Sequence, residues 1–172
     1  MEVFEAIRTV LAVRSYREQS IPSAVVDRII EAARLTGSSM NRQPWHFIAV
    51  EEPEMLQKLG ALASSGPYIA QAPLAIIVAA EQTRFALSDA SRAIQSMMLT
   101  AWADGVGSNW VGFMGFDEVK PLLEIPVEFD IVAIIPFGYP DQPVGQGIKQ
   151  RKAPGEVAHR ERFGQAYELG RI

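Results

Sequence analysis

The stretch Pro73-Leu-Ala-Ile-Ile-Val-Ala-Ala80 carries no polar side chain over eight residues. It is too short to cross a bilayer. It has no alternation that would leave one face wet, so it reads as a strand buried on both faces. Ile131–Ile135 is a second run of this kind. Two such strands require helices on both sides of a sheet, so the chain is expected to be a layered α/β or α+β domain.

The remaining elements fit around that sheet. Val3, Phe4, Ile7, Val10 and Leu11 recur at helical spacing, which predicts a first helix over 2–12. Pro22-Ser23 opens a second helix with Val26, Ile29, Ile30 and Ala33 inward, and Gly37 stops it. His46–Val50 alternates as a strand does. Pro53 starts a helix that buries Leu56, Leu59 and Leu62. Ser88 can cap a further helix running to Asp104, with Asp89 in its first turn and no charge between Arg92 and Asp104. Val106–Phe113 reads as extended. Asp117–Leu123 reads as a short helix disturbed at Pro121, and the last strand is expected to end at Pro136. The 172 residues contain no internal repeat and no linker, so they are read as one domain, 1–172.

Composition removes several function classes. There are no cysteines and two histidines, His46 and His159, which excludes thiolate chemistry, cysteine-held metals and a three-histidine site; no metal is expected. A net charge of −4 argues against duplex nucleic acid as a partner. The N-terminus carries Glu2 and Glu5 and resembles neither a signal nor an anchor, so a soluble, cytoplasmic protein without a membrane partner is expected. A glycine-rich phosphate loop is absent. Gly105-Val106-Gly107 begins a dinucleotide fingerprint, but Trp110 stands where its third glycine belongs. No nucleophile elbow occurs. The carboxylate pairs Asp27/Glu31 and Glu51/Glu52 read as solvated.

Three constellations carry possible chemistry. Arg14-Ser15-Tyr16-Arg17 offers two guanidinium groups and a hydroxyl suited to a phosphate, the alternative being a basic surface turn. Gly37-Ser38-Ser39-Met40-Asn41-Arg42-Gln43-Pro44-Trp45 gathers donors and acceptors suited to the edge of a planar heterocycle; the alternative is a helix stop and a turn. Lys149-Gln150-Arg151-Lys152 is a basic cluster on an acidic chain, which could close an anion site or simply be a solvated tail. Trp102, Trp110, Met97 and Met98 read as core, and His46 as structural.

Taken together these motifs resemble the nitroreductase family of FMN-dependent oxidoreductases over nearly the whole chain. The resemblance rests on Arg-Ser-x-Arg at 14–17, Ser-Ser-x-Asn-x-Gln-Pro-Trp at 38–45 and Gly-x-Gly-Ser-x-Trp-x-Gly at 105–112. It continues in Pro-x-Gly-Tyr-Pro at 136–140 and in Lys149, Arg151, Val157 and His159. It implies an α+β three-layer sandwich, a mixed central sheet flanked by helices, in an intertwined homodimer with FMN at the interface. By the same resemblance Arg14, Ser15, Lys149 and Arg151 would hold the phosphate and ribityl end, and Arg17 would face the pyrimidine edge. Ser38, Ser39 and Asn41 would come from the partner subunit, Gln71 would add a polar contact, and Val111 and Gly112 would present backbone near flavin N5. Where the family often has an arginine before Arg14, this chain has Val13.

The implied activity is hydride transfer from NAD(P)H through flavin N5 to a nitroaromatic, quinone or other conjugated acceptor, in alternating half-reactions. No catalytic side chain is required. The alternatives are a specialised family chemistry, such as flavin fragmentation or azoline dehydrogenation, or a protein that binds FMN without turnover.

Overall fold

The computed structural model describes residues 1–112, 116–143 and 149–170. Phe113, the end of the predicted extended stretch, and Arg171 of the basic tail lie outside them. Among the described residues six α-helices and four strands follow in chain order: α1 (Val3–Thr9), α2 (Ser23–Arg34), β1 (Trp45–Val50), α3 (Pro53–Leu62), β2 (Leu74–Glu81), α4 (Ala86–Ala103), β3 (Gly107–Ser108), α5 (Val119–Leu122), β4 (Phe129–Gly138) and α6 (Pro154–Val157). The sheet order is β1-β2-β4-β3. Every pairing between these strands is antiparallel; the parallel component of the expected mixed sheet is confined to a bridge between Ala12 and Ser108.

The apolar run dictates the layering. Every residue of β2 but its last is buried. Because side chains alternate across a strand, Leu74, Ile76 and Val78 enter one core with Ile29 and Ala33 of α2 and Ala93, Ile94 and Met97 of α4. Ala75, Ile77 and Ala79 enter a second core with Leu56 and Leu59 of α3 and Val119 of α5. Strand β4 divides in the same way, with Ala133, Ile135 and Phe137 on the first side and Ile134 on the second. The result is an α+β three-layer sandwich. No described helix is long and apolar enough to cross a membrane.

Several local expectations are corrected. Helix α1 stops at Thr9 rather than residue 12, because the chain turns extended at Val10 and then pairs with β3. Its apolar stripe is uncovered in the single chain, with Val3 74% and Phe4 53% exposed. Helix α2 ends at Arg34, and Gly37 is not in the left-handed conformation that would make it the stop. Ser88 lies inside α4, whose N-cap is Phe85. Strand β4 runs through Pro136 to Gly138. Pro136 can do so because it needs no N–H there: its carbonyl accepts from Asn109 N–H (3.4 Å) just beyond the end of the two-residue β3 ladder. Met97 is core as expected, whereas Trp110 is partly exposed. His46, expected to be structural, is exposed, with its ring edge-on to Phe129.

Candidate cofactor site

The segment after α1 is held on both sides. Val13 N–H bonds Ser108 O (2.9 Å), Arg17 N–H bonds Tyr139 O (2.9 Å) and Asp141 N–H bonds Ser15 O (3.1 Å). Val13 and Tyr16 are buried together with Ala72, against Tyr68 and Trp102, so the segment is anchored by these two side chains. The Tyr16 hydroxyl donates to Val13 O (2.7 Å), and burial pushes its ionisation well above the ordinary tyrosine range, so it stays neutral. Arg14, Ser15 and Arg17 remain exposed. Arg17 Nε donates to Pro140 O (2.8 Å), which fixes the base of its side chain and leaves the end of the guanidinium outward.

Two adjacent cavities open beside this segment and share Pro140, Gln142 and Pro143 as a common wall. The first, about 340 Å³, is lined by Arg14 and Ser15 together with Asp141. The second, about 370 Å³, is lined by Arg17 with Glu5, Thr9 and Trp102. The Trp102 indole donates to Thr9 Oγ1 (2.9 Å), which braces the second cavity against α1. Asp141 escaped sequence reading; its carboxylate accepts from Ser15 Oγ at 3.4 Å.

The basic tail reaches the same end of the molecule. Lys149 Nζ donates to Ile7 O (2.6 Å) in the last turn of α1, where helix carbonyls lack partners. Partial burial, and next the neighbouring Arg151 charge, hold the Lys149 amine below the usual lysine range. Among the described residues Arg14, Arg17, Lys149 and Arg151 form no ion pair. Arg14 and Ser15 in one cavity, Arg17 in the next, and Lys149 on the helix whose Glu5 and Thr9 line that second cavity offer donors that fit a phosphate-bearing ligand, with Asp141 and Glu5 in the same walls.

Gln71 is exposed, next to buried Ala72. Val111 is not free to present backbone: its N–H bonds Ile134 O (3.0 Å) and its carbonyl accepts from Ile134 N–H (2.8 Å). A backbone contact from this pair falls to Gly112. Gly112 lies under the Trp110 indole so closely that a Cβ would collide with Nε1. Asn109, also missed by sequence reading, is nearly buried and its amide donates to the Tyr68 hydroxyl.

Ser38, Ser39 and Asn41 are elsewhere. Ser39 bonds Asp89 near the start of α4, whereas the Val13–Tyr16 cluster packs on Trp102 near its end. Thirteen residues at 1.5 Å each put these groups about 20 Å apart along one helix. A single chain does not bring them into the Arg14 cavity.

A sequence profile described as the nitroreductase family matches residues 8–83 and 65–139. A protein of Methanothermobacter thermautotrophicus, named as a candidate NADH dehydrogenase/NAD(P)H nitroreductase, is 33% identical over 84% of this chain and 81% of its own length. One of the same description from Archaeoglobus fulgidus is 31% identical over 94% of this chain and 99% of its own. Among solved structures, an FMN-dependent nitroreductase from Clostridium difficile superposes with a TM-score of 0.83 at 25% identity, covering 93% of this chain and 99% of that one.

Proposed function

This chain belongs to the nitroreductase family, and we propose that it is an FMN-dependent oxidoreductase that carries hydride from NAD(P)H to a nitroaromatic, quinone or similar conjugated acceptor. The observation that carries the reading is the pair of adjoining cavities, one lined by Arg14 and Ser15 and the other by Arg17 with Glu5 and Thr9 of α1, the helix on which Lys149 is anchored. When bound, FMN supplies the hydride chemistry at N5.

The chain's own residues bind and orient. Arg14, Ser15, Lys149 and Arg151 hold the phosphate and ribityl end through charge-assisted bonds. Arg17, anchored on Pro140 O, brings positive charge to the pyrimidine edge, where negative charge grows during reduction. Gln71 adds a polar contact, and the Val111–Gly112 turn lines the N5 side through Gly112. Ser38, Ser39 and Asn41 complete the site from a second copy of the chain, because their own α4 keeps them away from their own Arg14. The exposed stripe of α1 and the half-buried Met98, Leu99 and Thr100 of α4 offer apolar surface for that homodimer, since obligate interfaces resemble a divided core. Nicotinamide and acceptor use one place in turn, so a ping-pong scheme follows.

The test begins with the purified protein. We expect yellow protein with one non-covalent FMN per chain, dimeric by light scattering. Anaerobic NADH or NADPH should bleach it, and a quinone should restore the colour. Parallel double-reciprocal lines should appear as the acceptor varies. Bound FAD, or flavin that no nicotinamide bleaches, would overturn the reading; the latter result is that of a storage protein.

A further inference from the structure

We propose that Asp89 is a positioning residue for the cofactor: it fixes the loop 38–43, through Ser39, in the conformation that meets FMN. This rests on the reading above that Ser38, Ser39 and Asn41 are cofactor contacts. Asp89 lies one turn into α4 and is 1% exposed. A carboxylate is rarely buried so fully unless it is paired. Here both oxygens accept from Ser39 N–H (3.1 Å each), Oδ1 also accepts from Ser39 Oγ (3.1 Å), and Arg92 closes the set. The Arg92 side chain is itself 53% exposed. Loss of Asp89 therefore leaves Arg92 hydrated, and the consequence falls on the loop.

The loop needs such a clamp. Met40, Asn41 and Gln43 take φ of 53°, 53° and 50°, left-handed values that carry a conformational cost for residues other than glycine. Ser38 Oγ accepts from Gln43 N–H (2.9 Å), and Gln43 Nε2 donates to Asn41 O (3.2 Å), so these bonds close the loop on itself. Among the described residues, the hydrogen bonds from 38–43 to the rest of the fold all end on Asp89. Met40 is 70% exposed and buries nothing that would hold the turn. A second tether, Thr36 Oγ1 to Ser96 Oγ (2.8 Å), lies two helical turns further along α4 and orients the approach without touching the turn.

The experiment is a binding cycle on the full-length protein, stripped of flavin and titrated with FMN. The readouts are quenching of flavin fluorescence and the visible circular dichroism of bound FMN. Asp89→Ala should weaken FMN at least tenfold, equivalent to about 1.4 kcal/mol, and alter the dichroism. Asp89→Asn keeps an acceptor for Ser39 N–H and should restore much of the affinity. Asn41→Ala should weaken FMN in the parent and add little in the Asp89→Ala background, because both act on one contact. Wild-type affinity and dichroism in Asp89→Ala, or full additivity with Asn41→Ala, would overturn the proposal. If Asp89→Ala does not fold, Asp89→Asn and its double variant decide in the same way. Failure of the wild-type chain to bind FMN is a different outcome and removes the functional reading itself.

Discussion

Gly107→Ala should unsettle the phosphate-holding segment from beneath. Residue 107 lies in β3 with ordinary strand backbone, so the problem is space and not conformation. A Cβ there would sit 2.4 Å from Val13 Cγ2, 2.7 Å from Val13 Cβ and 3.0 Å from Val13 Cγ1, against ordinary contacts of about 3.5–4.0 Å. Val13 cannot rotate away. It is β-branched and stiff at χ1, buried, and tied by its N–H to Ser108 O at 2.9 Å. The strands must part, and overpacking of this kind costs about 1–3 kcal/mol. Two anchored backbones put the cost near the upper value, about 3 kcal/mol, or a fall in Tm of about 6–12 °C for a chain of this size. FMN affinity should fall as well, since Arg14 and Ser15 follow Val13 directly. Thermal unfolding followed by circular dichroism, with an FMN titration, measures both. Val13→Ala in the Gly107→Ala background removes the 2.4 Å and 3.0 Å clashes but not the 2.7 Å one, so it should restore stability in part. A Gly107→Ala protein that melts within about 1 °C of the parent and binds FMN equally would refute the reasoning.

Replacing Arg14 and Arg151 together with Ala should lower FMN occupancy, each contact being worth about 1.5–3 kcal/mol. The unfolding free energy of the flavin-free protein should change by no more than about 0.5 kcal/mol, since neither exposed side chain has an ion-pair partner among the described residues. Phosphate affinity should be pH-dependent: Lys149, held below its ordinary value of 10.5, contributes while protonated and stops as pH rises through its lowered pKa. Titrations across alkaline pH should therefore show FMN binding weakening before an ordinary lysine would titrate, and Lys149→Arg should remove that phase. Asp141→Asn takes the carboxylate out of the Arg14 cavity and should tighten FMN by up to about 1 kcal/mol, the exposed setting limiting the gain; a weaker Kd would show that Asp141 supports Ser15 instead.

The two inner strands were legible because burial on both faces leaves an unbroken apolar run, eight residues in 73–80 and five in 131–135. Their edges were less so. Nothing local in Val10–Val13 distinguishes the end of an amphipathic helix from its continuation; the deciding partner is Ser108. Pro136 reads as a strand end until its carbonyl finds Asn109. The α1 stripe was visible, but whether a stripe faces a core or solvent is a property of what packs on it, and here little of the same chain does. In the candidate site, Arg14, Ser15, Arg17 and Lys149 announce themselves by chemistry. Asp89 and Asp141 do not: an isolated aspartate looks like any solvated one until its partner, 50 or 126 residues away, is in place. The burial of Tyr16 between two outward arginines is likewise a tertiary fact.

Helix α4 keeps Ser39 at one end and the Arg14 segment at the other, and under the proposed pairing this has a genetic reading. Each complete site draws its two halves from different chains. A chain damaged only at Asn41 and a chain damaged only at Arg14 are each inactive as pure dimers. Co-expressed, they form a hybrid in which one site receives both lesions and the other receives none. Half of the hybrid's sites are then intact. Two alleles damaged at the same end, Arg14 and Ser15 for example, never produce an intact site in any combination. Intragenic complementation should thus divide mutations of this protein into two groups, sorted by which end of a single helix they lie against.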